Sequence, residues 1–151
     1  MDETSVIETS RIRLARNIDS MSFIPNSDPK ACEQLINRVV GAVSMLGRYK
    51  VYKMNSLGEQ DSLVMLGKHL ISKELLKNKQ TGAVLVNDDE SLSIMVNEED
   101  HIRAQCILNG KNLERAYSLI SEIDDELDEK LNIAYDNKFG YLTSCVTNVG
   151  T

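Results

Sequence analysis

The chain has 151 residues, enough for one domain with a buried core. A composition of 42% hydrophobic and 26% charged residues is typical of a soluble globular protein, and the net charge of −6 disfavours a direct nucleic-acid partner. No apolar run approaches the ~20 residues that span a bilayer, and Met1 to Ile7 has no apolar core, which argues against a membrane span and a signal peptide. The three cysteines lie far apart without a Cys-x-x-Cys pair, so a reducing cytoplasm is the expected location.

The first predicted element is a strand, Ser10 to Arg16. Ile12 and Leu14 alternate with Arg11 and Arg13, which is the period of a strand. Because alternate residues share a strand face, the basic side chains, Arg16 included, are expected on one face.

Two helices with a strand between them are predicted next. Residues 28–46 carry one apolar stripe behind a Pro-containing first turn, and Gly47 follows as a stop. In residues 49–54, apolar and aromatic residues alternate with lysines, which predicts a strand. Ser56 and Glu59 match a capping box, which predicts a helix over about 57–70.

The second half of the chain contains the strongest strand signal. Residues 83–86 and 92–96 are apolar, prone to form strands and separated by a polar turn, which predicts an antiparallel hairpin. Residues 73–79 read as one further helical turn, residues 103–108 as another strand, and residues 113–131 as a helix. The apolar stripe of this helix comprises Leu113, Ala116, Tyr117, Ile120, Ile123, Leu127 and Leu131. The elements predict an α+β fold, an antiparallel sheet flanked by helices, rather than a parallel α/β sheet.

Two clusters of charged residues carry possible chemistry. The first contains Arg11, Arg13 and Arg16; two arginines two positions apart on a strand face suit bidentate binding of phosphate oxygens, although an exposed basic strand face remains an alternative. Residues 97–103 place three carboxylates, an imidazole and a guanidinium directly after a strand. Such a set can hold Mg²⁺ through water, accept a proton or bind a cation, and a solvated acidic loop is the alternative. The sequence contains neither the G-x-x-x-x-G-K-[ST] nor the G-x-G-x-x-G phosphate loop, so arginines would have to hold a nucleotide.

A third cluster surrounds one cysteine. Thr143 to Asn148 sets Cys145 among hydroxyl and amide side chains, where neighbouring donors can stabilise a thiolate. An inert loop cysteine is the alternative. Cys32 lies on a helix stripe and Cys106 on a strand, so both are expected in the core.

Taken together, the three clusters resemble one family. Residues 10–17 (SRIRLARN), 97–103 (NEEDHIR) and 143–151 (TSCVTNVGT) look like the ATP:guanido phosphotransferases, and the resemblance extends from Thr9 to Thr151. The early position of the first segment makes the chain most similar to the bacterial members that phosphorylate arginine side chains of proteins. The resemblance implies that residues 1–151 form the first part of a glutamine synthetase-like catalytic domain that is cut short at its C-terminus.

The resemblance also implies a nucleotide site. ATP phosphates would lie against Arg11, Arg13 and Arg103, with Ser10 and His69 in the nucleotide region. ATP would be accompanied by Mg²⁺.

The substrate side of the site follows from the same resemblance. Glu98 would hold water on Mg²⁺, and Glu99 would bind the substrate guanidinium and act as its base. Cys145 would pair with that guanidinium as a thiolate, Asp100 would orient its neighbours and His101 would shape the loop.

Some positions differ from the family pattern. Val146 stands where the family has proline, and Gly67 and Lys73 replace a glutamate and a proline of the bacterial members. Because the family continues beyond the segment present here, the chain alone is expected to be inactive. Two other functions stay open: a non-catalytic module that recognises arginine or phosphoarginine, and a kinase of free arginine or creatine.

The expected partners also come from the resemblance. They are protein substrates that carry arginine, an activator protein, a transcriptional repressor and a second copy of the chain in a homodimer. The resemblance places these partners in a cytoplasmic stress response.

Overall fold

The computed structural model describes residues 9–19, 21 and 28–144. Its strands are β1 (Thr9–Arg16), β2 (Tyr49–Lys53), β3 (Ala83–Asn87), β4 (Leu92–Val96), β5 (Ile102–Asn109), β6 (Tyr135–Asp136) and β7 (Gly140–Tyr141). Its helices are α1 (Pro29–Val43), α2 (Glu59–Gly67), α3 (Lys73–Lys77) and α4 (Leu113–Lys130). Five strands form one antiparallel sheet in the order β1-β5-β4-β3-β2, and β6 and β7 form a small separate pair. The predicted α+β architecture and the β3–β4 hairpin are confirmed.

The sheet separates two apolar clusters. The alternation of side chains along each strand sends one set toward α1 and α4, where the main core lies. The helix residues in that core include Leu35, Val39 and Val43 from α1 and Ile120, Ile123 and Leu127 from α4. The opposite set packs beneath α2 and α3 in a smaller cluster that includes Met54, Met65, Leu75, Val84 and Met95. Cys32 and Cys106 are both buried, as predicted.

The helix boundaries follow local chemistry. Asp28 caps α1 by accepting a hydrogen bond from the Lys30 backbone N–H, as the predicted boundary requires, but α1 ends at Val43 rather than at 46. The predicted capping box of α2 is wrong. Gly58 occupies the cap position, and Ser56 lies in a turn in which its N–H donates to the Lys53 carbonyl. Among the described residues no helix combines the length and the apolar character needed to cross a membrane.

Three side chains point in directions that differ from the sequence interpretation. Leu113 and Tyr117 are 56% and 66% exposed, so they lie outside the apolar stripe of α4. Tyr117 is one residue, or about 100° of helix rotation, away from the buried Ala116 and therefore points outward. Arg16 does not share a face with Arg11, because five residues separate them on a strand whose faces alternate.

Arg16 instead anchors β1 to α4. Its guanidinium is buried and donates from Nε to Asp124 Oδ1 (2.9 Å) and from Nη2 to Oδ2 (3.1 Å). Its Cζ atom also lies 3.5 Å from the centre of the Tyr141 ring. On the core face of the sheet, this arginine therefore joins β1 to α4.

Candidate functional site

Three arginines meet on the face of the sheet opposite α1 and α4. Arg11 and Arg13 extend from β1, and Arg103 extends from the adjacent strand β5. All three line one cavity of about 180 Å³ below α2. Burial and the charges of Arg13 and Arg103 lower the pKa of Arg11, which reflects the concentration of positive charge. Such a cavity favours a ligand with several negative oxygens.

The cavity is closed on one side by the connection between α2 and α3. His69 in this connection has a φ of 62°, in the left-handed region that side chains rarely adopt. Its carbonyl accepts a hydrogen bond from the side chain of Gln105, which lies on β5 opposite Arg13. The predicted residues Arg11, Arg13, Arg103 and His69 are therefore brought together.

Ser10 lies elsewhere. Its hydroxyl donates to the Gly110 carbonyl (2.7 Å) and accepts from the Asn112 N–H (2.7 Å), where β5 leads into α4. The side chain is buried and does not line the cavity. Its evident role is to hold the end of β1 at this connection.

The acidic turn between β4 and β5 lies next to the arginines. The Asn97 N–H donates to the His101 carbonyl (2.8 Å) and closes the turn, with Asn97 at a φ of 61°. Asn78, the residue that follows α3, donates from its side chain to the carbonyls of Asn97 (3.0 Å) and Glu98 (2.8 Å). These backbone and amide contacts hold the turn in shape together with the carboxylate contacts of Glu98 and Asp100.

Glu98 links this turn to the cavity. Its side chain is fully buried, with Oε1 at 3.4 Å from Arg103 Nη1 and Oε2 accepting from the Ser72 hydroxyl at 2.5 Å. The Glu99 N–H also donates to Glu98 Oε1 (3.2 Å). Ser72 caps α3 with the same hydroxyl by accepting from the Leu75 N–H. One carboxylate thus connects an arginine of the cavity to the start of a helix.

Asp100 joins the turn to the segment that precedes Cys145. Its Oδ1 atom accepts from Asn17 Nδ2 (2.8 Å), from the Ser144 N–H (2.7 Å) and from the Ser144 hydroxyl (3.0 Å). The Ser144 hydroxyl also lies 3.2 Å from the Glu99 carbonyl. Cys145 and Val146 themselves lie outside the described residues.

His101 has a structural position in the same region. The residue is fully buried. Its ring Nδ1 accepts a hydrogen bond from the Ile18 N–H (2.9 Å), and its backbone N–H donates to Asn17 Oδ1 (2.9 Å). The end of β1 and the acidic turn are therefore locked together around one asparagine and one imidazole.

A second, larger cavity adjoins the same face of the sheet. It has a volume of about 340 Å³ and lies between α2 and the strands β2 and β3. Its polar and aromatic lining includes Lys50, Tyr52, Asp61, Lys68 and Asn87. No sequence motif marked this cavity, because its residues come from β2, α2, β3 and the segments that connect the elements. Among the described residues no cluster of three His, Cys, Asp or Glu side chains could chelate a metal ion.

Residues 31–151 match the family described as ATP:guanido phosphotransferase, C-terminal catalytic domain. The chain belongs to this family. The predicted membership of the guanido phosphotransferase family is thereby confirmed.

Curated proteins named protein-arginine kinase match nearly the whole chain. A protein-arginine kinase of Halothermothrix orenii is 44% identical over 151 residues, which cover 99% of this chain and 43% of that protein. A protein-arginine kinase of Clostridium tetani is 40% identical over 154 residues, covering 100% of this chain and 45% of that protein. One of Staphylococcus aureus is 44% identical over 154 residues. The chain thus spans less than half the length of these relatives.

Solved guanidino kinases share the fold. The substrate-free duplicated taurocyamine kinase of Schistosoma mansoni superposes with a TM-score of 0.85 at 21% identity, over 100% of this chain and 24% of that one. A lombricine kinase superposes with a TM-score of 0.80 at 19% identity, over 100% of this chain and 47% of that one. At these identities the likeness concerns the fold alone.

Proposed function

We propose that this chain forms part of a kinase that transfers the γ-phosphoryl group of ATP to arginine side chains of proteins. The observation that carries the proposal is the meeting of Arg11, Arg13 and Arg103 on one cavity, directly beside the turn that holds Glu98 and Glu99. The printed name of the relatives, protein-arginine kinase, supports a protein substrate. Family membership supports ATP as the phosphoryl donor.

ATP would lie along the face of the sheet beneath α2. Its phosphates would bind the three arginines, whose planar guanidinium groups match phosphate oxygens two at a time. The neighbouring cavity of about 340 Å³ is suited to the nucleoside, with Tyr52 and Lys68 at its wall and His69 between the two cavities. Phosphoryl transfer needs mainly alignment of the reactants and neutralisation of the phosphate charge. The three arginines would supply the neutralisation.

The acceptor would be held by Glu99 and Cys145. An arginine side chain is protonated at neutral pH, with a pKa of about 12.5–13.8, and must lose a proton to attack phosphorus. Glu99 is partly exposed beside the arginine cavity, so its carboxylate can bind the cation and accept that proton. Ser144, the neighbour of Cys145, hydrogen-bonds to the Glu99 carbonyl, and one residue of chain adds only ~3.8 Å. This contact supports a thiolate close to the same guanidinium.

Mg²⁺ would enter with the nucleotide. Mg²⁺ keeps several waters and uses few protein ligands when it binds nucleotide phosphates, which agrees with the lack of a chelating cluster among the described residues. The ion would neutralise phosphate charge during transfer. By family resemblance, Glu98, which is paired with Arg103, would hold a water on the ion.

The remaining parts of the proposal concern the whole protein. Residues 1–151 would be the first part of the catalytic domain, and turnover would require the further length that the relatives have. By family resemblance, we also propose a cytoplasmic homodimer that responds to an activator protein and modifies a transcriptional repressor.

The test is detection of phosphoarginine on an arginine-rich model protein incubated with ATP and the complete gene product. Arg13→Ala should weaken ATP binding, whereas Glu99→Gln and Cys145→Ser should suppress phosphoarginine and leave ATP binding in place. Glu129→Gln, on the exposed side of α4, is the matched control and should have wild-type activity. Full activity of both Glu99→Gln and Cys145→Ser would overturn the site.

Parallel incubations distinguish the other functions. Phosphorylation of free arginine or creatine in preference to the protein would indicate a metabolite kinase. Binding of a phosphoarginine peptide without any ATP consumption would indicate a recognition module.

A further inference from the structure

Gln105 is a fully buried polar residue in the middle of the arginine cluster. It lies on β5 directly opposite Arg13 of β1, two residues after Arg103 on the same strand face. Only 1% of its surface is exposed. A buried amide is unfavourable unless both its oxygen and its nitrogen have partners, so its contacts indicate what the residue does.

Both ends of the amide are used, by two different parts of the phosphate site. Arg11 Nη2 donates to Gln105 Oε1 at 3.0 Å, and Gln105 Nε2 donates to the His69 carbonyl. A guanidinium can only donate and a carbonyl can only accept, so the amide has one favourable orientation between them. Gln105 is therefore a bridge from a cavity arginine to the connection between α2 and α3.

The connection that receives this hydrogen bond is conformationally constrained. His69 has a φ of 62°, and a residue of this type keeps such a backbone only when neighbouring contacts hold it. The His69 N–H donates to the Leu66 carbonyl (3.0 Å), and Gln105 binds the carbonyl on the other side of the residue. His69 lines the arginine cavity, and the next residue, Leu70, lines the neighbouring cavity.

We infer that Gln105 is a positioning residue of the phosphate site, which aims the Arg11 guanidinium and holds the 68–72 connection against it. The inference rests on the proposed ATP site and deepens it, because it identifies a residue that would decide how strongly the phosphates contribute to nucleotide affinity. Gln105 touches neither substrate in this scheme and acts through Arg11 and His69.

The neutrality of the amide is part of the argument. Arg11, Arg13 and Arg103 concentrate three positive charges, and burial together with the two neighbouring charges lowers the pKa of Arg11. The neutral amide oxygen of Gln105 orients the Arg11 guanidinium without neutralising its positive charge. A carboxylate at this position would neutralise Arg11 and would repel the His69 carbonyl, since neither oxygen could donate a hydrogen bond.

Two variants and one control test this role in the complete gene product. Gln105→Leu keeps the volume and removes both hydrogen bonds, and Gln105→Glu keeps the acceptor but adds a charge. Ser93→Ala is the control, because Ser93 lies directly opposite Gln105 on β4, is equally buried, and its hydroxyl has no partner among the described residues.

The measurements are dissociation constants for ATP and AMP by calorimetry, together with hydrogen exchange of the 68–72 amides. We expect Gln105→Leu to weaken ATP binding about tenfold, equivalent to about 1.4 kcal/mol, and AMP binding less than about twofold. Gln105→Glu should weaken ATP binding at least as much. Exchange at 68–72 should accelerate in both variants, and Ser93→Ala should match wild type in every measurement.

The possible failures are distinguishable. Equal losses of ATP and AMP affinity would make Gln105 a purely structural residue and overturn the inference. Wild-type ATP affinity in Gln105→Leu, or unchanged exchange at 68–72, would also overturn it. If the wild-type protein itself binds ATP no better than AMP, the proposed function fails at the phosphate site, independently of any variant.

Discussion

Removal of the Asp100 side chain should release the segment that leads to Cys145. Asp100 is fully buried, and its Oδ1 accepts hydrogen bonds from Asn17 and twice from Ser144. In Asp100→Ala, Asn17 Nδ2 keeps the Leu142 carbonyl as a partner. The Ser144 hydroxyl likewise keeps the Glu99 carbonyl, whereas the Ser144 N–H loses the acceptor described for it.

The expected cost follows from this accounting. A hydrogen bond to a charged group contributes about 1.5–3 kcal/mol, and a donor left without a partner costs about 1–3 kcal/mol. The three bonds share one oxygen, so their contributions do not add, and the relieved burial of the carboxylate offsets part of the loss. We therefore expect Asp100→Ala to lower the free energy of unfolding by about 3 kcal/mol, or the melting temperature by about 6–12 °C.

Urea unfolding of the 151-residue chain, followed by circular dichroism, measures this change. The matched control is Asp125→Ala, an exposed aspartate of α4 for which the structure shows no partner among the described residues, and it should stay within about 0.5 kcal/mol of wild type. Hydrogen exchange at residues 142–144 should accelerate only in Asp100→Ala. An Asp100→Ala midpoint equal to that of the control would refute the assignment of Asp100 as the anchor of this segment.

Three further changes test the packing around the site. Asp124→Ala should cost about 3 kcal/mol in urea unfolding, because it leaves the buried Arg16 guanidinium without its carboxylate. Gly82→Ala should cost about 2 kcal/mol by the same assay, since a Cβ there would lie 2.8 Å from Leu75 Cδ1. Burial raises the pKa of Tyr49 from 10.0 to about 12. The folded state therefore holds this proton more tightly than the unfolded state does. Its contribution to the free energy of unfolding is fully present below pH 10 and is lost as the pH rises toward 12. Tyr49→Phe should reduce this loss when melting temperatures are measured across the alkaline range.

Local patterns predicted most elements of the fold. The alternation in residues 10–16, the hairpin at 83–96 and the apolar stripe of 113–131 correspond to β1, the β3–β4 pair and α4. These predictions succeeded because the period of apolar residues reflects which side of an element is buried. The same rule, applied to Arg16, would have assigned it to the face of Leu14, and the structure corrects that reading.

Of the candidate site, the sequence predicted only the charged residues. Arg11, Arg13 and Arg103 do meet, and so do the acidic turn and the segment ending at Ser144. The neutral residues that orient them were missed, namely Asn17, Ser72, Asn78 and Gln105. An isolated amide or hydroxyl in a sequence gives no signal, because its importance depends on a partner that the chain reaches only after folding.

The sequence by itself determined the class of fold, the family and the charged residues of the candidate site, since these depend on local periodicity and on short charged motifs. The tertiary structure decided which strands are neighbours: Thr9 pairs with Asn109, which puts Arg11 and Arg13 of β1 beside the strand that carries Arg103. It also decided which polar side chains are buried and paired, as with Gln105 between Arg11 and His69. Such contacts join residues up to about a hundred positions apart, and only the sheet register brings them within hydrogen-bonding distance.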